Sequence, residues 1–195
     1  LHLKFNRFRL EILSGQLGSE SLQGERIKRN IAGHRLTWLS KNEKLFASFG
    51  EKIIYTGINR GFEWHYLNPF VPYFFTALES DEESSVSSDN DNSILFAAMR
   101  YVYKPNLSFF GELLIDDFQV DDNNIQDGLG YKIGADGAFS ITDIPVTWAF
   151  EWTSINSWTY IHHGQFTSWQ NRGHALGYQY GPDLNSFRIQ ADVKI

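Results

Sequence analysis

An all-β fold is what this sequence predicts. In narrower terms it predicts an antiparallel transmembrane β-barrel of the outer-membrane type, with about nine strands in its 195 residues. Three observations carry that expectation. Apolar and polar residues alternate with period two through most of the chain, the mark of strands with one apolar and one mixed face. The strand candidates run to about 9–13 residues, membrane-spanning length rather than the five or six usual in soluble sheets. Short turn-like connections alternate with long polar ones, as they do at the two rims of such barrels.

The elements follow in order. "LHLKFNRFRLEI" opens the chain in a strand-like pattern, whereas "SESLQGERIKRN" reads as a poor helix interrupted by Gly24. "EKLFASFGEKIIY" sets Leu45, Ala47, Phe49, Ile53 and Tyr55 against Lys44, Ser48, Gly50 and Lys52. "PYFFTALES" could form a short helix after Pro72. In "SILFAAMRYVYK" Leu95, Ala97, Met99, Tyr101 and Tyr103 share a face.

"NLSFFGELLIDDF" sets an apolar face of Leu107, Phe109, Gly111, Leu113 and Ile115 against a mixed face of Ser108, Phe110, Glu112, Leu114 and Asp116. "GLGYKIGADG" and "PVTWAFEWTS" repeat the pattern. "SFRIQADVKI" ends the chain with Phe187, Ile189 and Val193 facing away from Arg188, Gln190 and Asp192. The connections "SKNEK", "YKPN" and "ITDIP" are hairpin-like. Two connections are long: about 59–93, with the acidic run "LESDEESSVSSDNDNS", and "DDNNIQDG".

Composition narrows the class. The chain is 42% hydrophobic, 16% aromatic and 21% charged, ample for a core and unlike a disordered sequence. It has no cysteine, which excludes disulfides and thiolate metal sites. A net charge of −6 argues against a nucleic-acid surface, because phosphate binding needs a basic stripe. No run of eighteen apolar residues occurs, so no transmembrane helix is expected. Leu1 and Ile195 both lie inside strand-like patterns, so the sequence is expected to be the ordered part of a longer one, read as a single domain over 1–195. A soluble β-sandwich also alternates apolar-in and polar-out. Strand length, mid-strand charges such as Glu112 and Asp116, and aromatics gathered in "WTYIHH", "RYVYK" and "GYQYG" favour the barrel, where they would form interface girdles.

A set of stretches in fixed order resembles the Wzi-type capsule assembly family of outer-membrane barrels. They are "IAGHRLTW" (31–38), "FGEKIIYTG" (49–57), "YLNPFVPYFF" (66–75), "SDNDNS" (88–93), "FGELLIDDFQ" (110–119), "EWTSINSWTYIHH" (151–163) and "HALGYQYGPD" (174–183). The resemblance implies an eighteen-stranded Gram-negative outer-membrane barrel that helps to retain capsular polysaccharide. It implies a lectin-like surface protein without an established enzymatic reaction. About nine strands are half of such a barrel, and a half barrel leaves two open edges in lipid. The remainder is expected from further residues of the same protein, with another chain as the alternative source.

Candidate binding residues follow from sugar chemistry, since sugars offer apolar C–H faces and hydroxyl rims to aromatic, amide and carboxylate groups. "GFEWHYLNPFVPYFF" supplies Trp64, Tyr66, Asn68 and Tyr73, with an interface belt or a lumen plug as the competing role. "NSWTYIHHGQFTSW" supplies Trp158 and Tyr160, for which a girdle role stands ahead. Asp116 could meet a sugar hydroxyl from the lumen, although a solvated or Arg- or Lys-paired strand end is the simpler role. Adjacent Asp116 and Asp117 point to opposite faces and cannot form a carboxylate dyad.

No metal or cofactor is expected. His162 and His163 diverge in an extended chain, and the acidic run lacks the glycine and final glutamate of an EF-hand loop. No nucleophile elbow or phosphate-binding glycine loop occurs, so no catalytic residue is assigned. The expected partners are surface polysaccharide and outer-membrane lipid, with other outer-membrane or periplasmic proteins as candidates and nucleic acid excluded. A cation-favouring diffusion channel is the alternative function.

Overall fold

A computed structural model describes residues 1–22, 24–73, 91–117, 128–160 and 166–193. Nine strands form one antiparallel sheet: β1 His2–Phe5, β2 Phe8–Leu22, β3 Glu25–Leu39, β4 Leu45–Ile58, β5 Asn92–Lys104, β6 Leu107–Asp117, β7 Gly128–Ile141, β8 Ile144–Ile155 and β11 Leu184–Val193. Each pairs with its neighbour in sequence, except that β9 Gln170–Asn171 and β10 His174–Ala175 form a separate small hairpin between β8 and β11. The sheet is not closed. Among the described residues, one side of β11 carries no strand, and four-residue β1 leaves most of β2 unpaired on its other side.

Short turns lie at one end of the sheet. At β7–β8 the two turn residues Thr142 and Asp143 both have positive φ (48° and 69°), the left-handed pair that matches strand twist in a tight hairpin. The opposite end carries the connections 59–91, 118–127 and 156–183. The stretch "SESLQGERIKRN" is not a helix. It is the end of β2, a tight turn containing Gly24 (φ 86°), and the start of β3. Gly24, read as a helix breaker, is instead the turn residue. The tract read as one opening strand is the β1–β2 hairpin, turning at Asn6 (φ 51°). The helix expected over "PYFFTALES" lies outside the described residues beyond Tyr73.

Register shows that the two faces differ as the alternation implied. One face carries Phe8, Leu36, Phe49, Met99, Phe109, Leu113, Ile133, Phe150, Phe187, Ile189 and Val193, all exposed. Phe187 is 70% and Ile189 81% accessible. Leu107 and Ile115 on the same face are half-buried. A ladder of aromatics crosses it from Tyr131 to Trp152 (5.3 Å, edge-on) to Phe187 (6.3 Å, stacked). No second sheet covers this face among the described residues, so the sandwich arrangement is not formed. Leaving one side chain of this size in water forgoes roughly 1.5–3 kcal/mol. Soluble monomers rarely leave so broad an apolar patch uncovered.

The other face is polar and ordered by ions. Arg9 and Arg35 both hold Glu11, Arg100 holds Asp136 at 2.6 Å beside Ser108, and Lys132 holds Glu112 at 3.2 Å. Arg188, Gln190 and Asp192 form a hydrogen-bonded row along β11. Between the ion rows, Phe110 lies flat over Gly134, where an added Cβ would stand 2.3 Å from its ring. A side chain there would displace the ring.

Candidate functional site

Both faces are covered at the long-loop end, each by a different connection. On the apolar face lies 59–73, which includes a 3₁₀ turn, Trp64–Leu67. Tyr66 and Tyr73 project from it onto Ala32, Ile53 and Tyr55, with 1% and 0% of their surface left exposed. The strands beneath bring buried polar groups to this face: Asn30, which donates to the Arg60 carbonyl, and His34 and Glu51, both of which Tyr73 covers. Its ring meets His34 edge-on at 4.8 Å and its backbone N–H donates to Glu51 Oε2 at 2.6 Å.

Arg60 pins the loop. Its guanidinium bonds Glu63 at 2.6 Å and Asp91 at 2.6 Å, the latter only 1% exposed, and also donates to the Thr56 carbonyl. Burial opposes the charge on Arg60, but the Glu63 and Asp91 carboxylates outweigh it and raise its pKa. The Tyr66 hydroxyl donates to Asp91 at 2.6 Å. Burial, then the Asp91 charge, pushes that phenol well above the usual tyrosine range. Tyr73 is raised mainly by burial, and its hydroxyl donates to the Tyr66 carbonyl.

On the polar face lies the connection 156–183. It is tied down by strands from β3 to β7. Arg29, buried on β3, donates to the carbonyls of Phe166 (2.6 Å), Ser168 (3.0 Å) and Gln170 (2.8 Å). Asn92 on β5 donates to the Thr167 carbonyl at 3.2 Å. Asp116 accepts the Tyr160 backbone N–H, and the Thr159 hydroxyl donates to the Leu129 carbonyl at 3.1 Å. Trp169 packs on Ile54 and Ile94, with Tyr160 and Leu176 beside it.

This packing leaves a cavity of about 280 Å³ between connection and sheet. Its floor includes Ile94, Leu114 and Ile155, its charged wall Lys52, Glu112 and Lys132, and its cover Tyr160, Trp169 and Tyr178. The Lys132 ammonium is 5.9 Å from the Tyr178 ring centre, and the Lys52 ammonium 5.5 Å from that of Phe96. The volume lies just under the roughly 300–1,000 Å³ of most ligand pockets.

The residues singled out from the sequence do not converge. Trp64 is 79% exposed, in edge-on contact with Phe62 at 4.9 Å, on the loop over the apolar face. Tyr66 and Tyr73, expected as sugar contacts, are buried in that loop's attachment, so neither ring faces outwards. Asn68 is exposed but its side-chain oxygen caps the Phe70 N–H at 3.1 Å, a local turn. Trp158 is exposed and Tyr160 lines the cavity. Asp116 falls at a β-bulge between Ile115 and Asp117, and its carboxylate accepts the Tyr160 backbone N–H.

Two further expectations change. "WTYIHH" and "GYQYG" are not strand-end girdles, since their described residues belong to the connection on the polar face. Asp91 and Asn92, read as the end of a solvated acidic run, are buried by their bonds to Arg60 and the Thr167 carbonyl; residues 79–90 lie outside the described residues. His162 and His163 also lie outside them, and among the described residues no cluster of His, Asp and Glu could hold a metal ion.

Lys52 and Lys132 were legible as polar-face residues but not as neighbours. Arg29 and Trp169 were missed altogether. The turn signal Asn171–Arg172–Gly173, with positive φ at the last two residues (51° and 78°), was the available hint that 156–183 has structure of its own. No protein-family model, no curated protein and no solved structure matches this chain.

Proposed function

We propose that the chain is half of an outer-membrane β-barrel that holds capsular or related polysaccharide at the cell surface without catalysing a reaction. One observation carries this reading: the sheet has a broad uncovered apolar face, while its charged face is strapped over a cavity with aromatic, ammonium and carboxylate walls. Lipid would cover the first. The second has the mixture of flat rings and hydrogen-bonding groups that suits a sugar. Further strands, supplied by the same protein, would complete an eighteen-stranded barrel of the Wzi type, because free strand edges in lipid leave backbone groups without partners.

In this reading Trp64, with Phe62 and Phe70 exposed beside it, belongs to the interfacial aromatic belt. The polymer is held at the cavity, with Tyr160 in its cover and Trp158 exposed a short way along the same connection. A diffusion channel would draw on the same charged rows, but the connection lying across them disfavours an open pore.

Filling the cavity tests the proposal. Ala98, on its wall, is replaced in the full-length protein (Ala98→Trp), and surface polysaccharide and heat-modifiable folded barrel are measured on the same cells. Polysaccharide retention falls while folded barrel is unchanged. Normal retention, together with a large conductance in single-channel recordings of the wild type, would establish the channel instead.

A further inference from the structure

We propose that the cavity on the polar face takes one carboxylate-bearing sugar residue, a uronate, with Lys52 as the group that selects its charge. This rests on the polysaccharide reading and adds the chemical class of the ligand. Two ammonium groups, Lys52 and Lys132, and one carboxylate, Glu112, line the cavity. Glu112 is already engaged by Lys132 at 3.2 Å. Lys52 has no carboxylate within ion-pair distance among the described residues; its ammonium lies 5.5 Å from the Phe96 ring centre. Among the described residues that line the cavity, positive charges therefore exceed negative ones by one. Asp116 is not among those lining residues, and it accepts the Tyr160 amide.

Lys52 and Lys132 both donate, so the ligand must be rich in acceptors and singly negative. Tyr178 and the aliphatic floor supply the flat apolar surface that a sugar's C–H face covers. Phosphate offers no apolar face for Tyr178 and the aliphatic floor. At about 30 Å³ of liquid volume per water, a cavity of about 280 Å³ holds about nine waters, room for one hexose-sized ring.

The test is calorimetric titration of the purified full-length protein in micelles with D-glucuronate, D-glucose and inorganic phosphate. Glucuronate binds in the millimolar range, at least tenfold more tightly than glucose or phosphate. Lys52→Gln removes that margin with folded barrel intact. Glucose or phosphate binding as tightly as glucuronate overturns the assignment, as does an unchanged Lys52→Gln or the absence of any glucuronate binding. The broader reading fails separately. If Ala98→Trp cells keep their polysaccharide while the wild type still binds glucuronate through Lys52, the site stands and polysaccharide retention does not.

Discussion

The two connections at the long-loop end cover opposite faces by different means. The 59–73 connection is held by a buried ion network, Arg60 with Glu63 and Asp91, and packs solidly, with Tyr66 and Tyr73 almost wholly enclosed. The 156–183 connection is held by Arg29 reaching neutral carbonyls, and it stands off the sheet far enough to leave a cavity. The first encloses polar groups of the apolar face, Glu51, His34 and Asn30; the second encloses a cavity on a face that is already polar.

The largest expected effect comes from breaking the first attachment. Arg60→Met leaves two carboxylates, one of them deeply buried, without their cation, which costs about 3–5 kcal/mol. Hydrogen exchange of 59–73 should rise sharply in micelles while that of 156–183 stays as it was. If both connections loosen together, they are one unit and the comparison fails.

Arg29→Met comes next. Hydrogen bonds from a charged donor contribute roughly 1.5–3 kcal/mol each and do not add, so a loss of about 2–4 kcal/mol is expected in 156–183 alone. Limited proteolysis should then cut near 166–173, and glucuronate binding should weaken because Trp169 is no longer seated. Protection of 156–183 equal to wild type would show that the aromatic packing of Trp169 suffices to hold it. The smallest effect is that of Thr159→Val, which removes one hydrogen bond to the Leu129 carbonyl and costs about 1 kcal/mol. Exchange at Thr159 and its neighbours should sharpen the map of where the strap is anchored.

Much of the sheet could be read in the sequence and little of the site. β6 and β11 were legible because period-two patterning depends only on which face each residue takes, and Phe187, Ile189 and Val193 are exposed as that pattern implied. The β2–β3 hairpin was misread because Ser and Glu with a single Gly24 resemble a broken helix, and nothing local reveals that the turn has strands on both sides. Asp116 was placed on the correct face, but the bulge that aims it at Tyr160 has no sequence mark. The strap was invisible for a different reason. Arg29 and Phe166 are 137 residues apart, and no periodicity records a contact at that separation. Tyr66 and Tyr73 share the lesson: the chemistry of a tyrosine fits a sugar platform and a buried latch equally well, and only packing decides.

The central claim is that the two faces of this sheet meet different solvents, lipid on one side and water on the other. The chain has no cysteine, so single thiols placed at successive β11 positions report cleanly. Phe187→Cys, Arg188→Cys, Ile189→Cys and Gln190→Cys are labelled with an environment-sensitive fluorophore in the full-length protein reconstituted in bilayers. Labels at 187 and 189 should emit to the blue and be quenched from the lipid phase. Thiols at 188 and 190 should react with a membrane-impermeant reagent and their labels be quenched from water. Four positions with the same water-exposed behaviour would contradict the account.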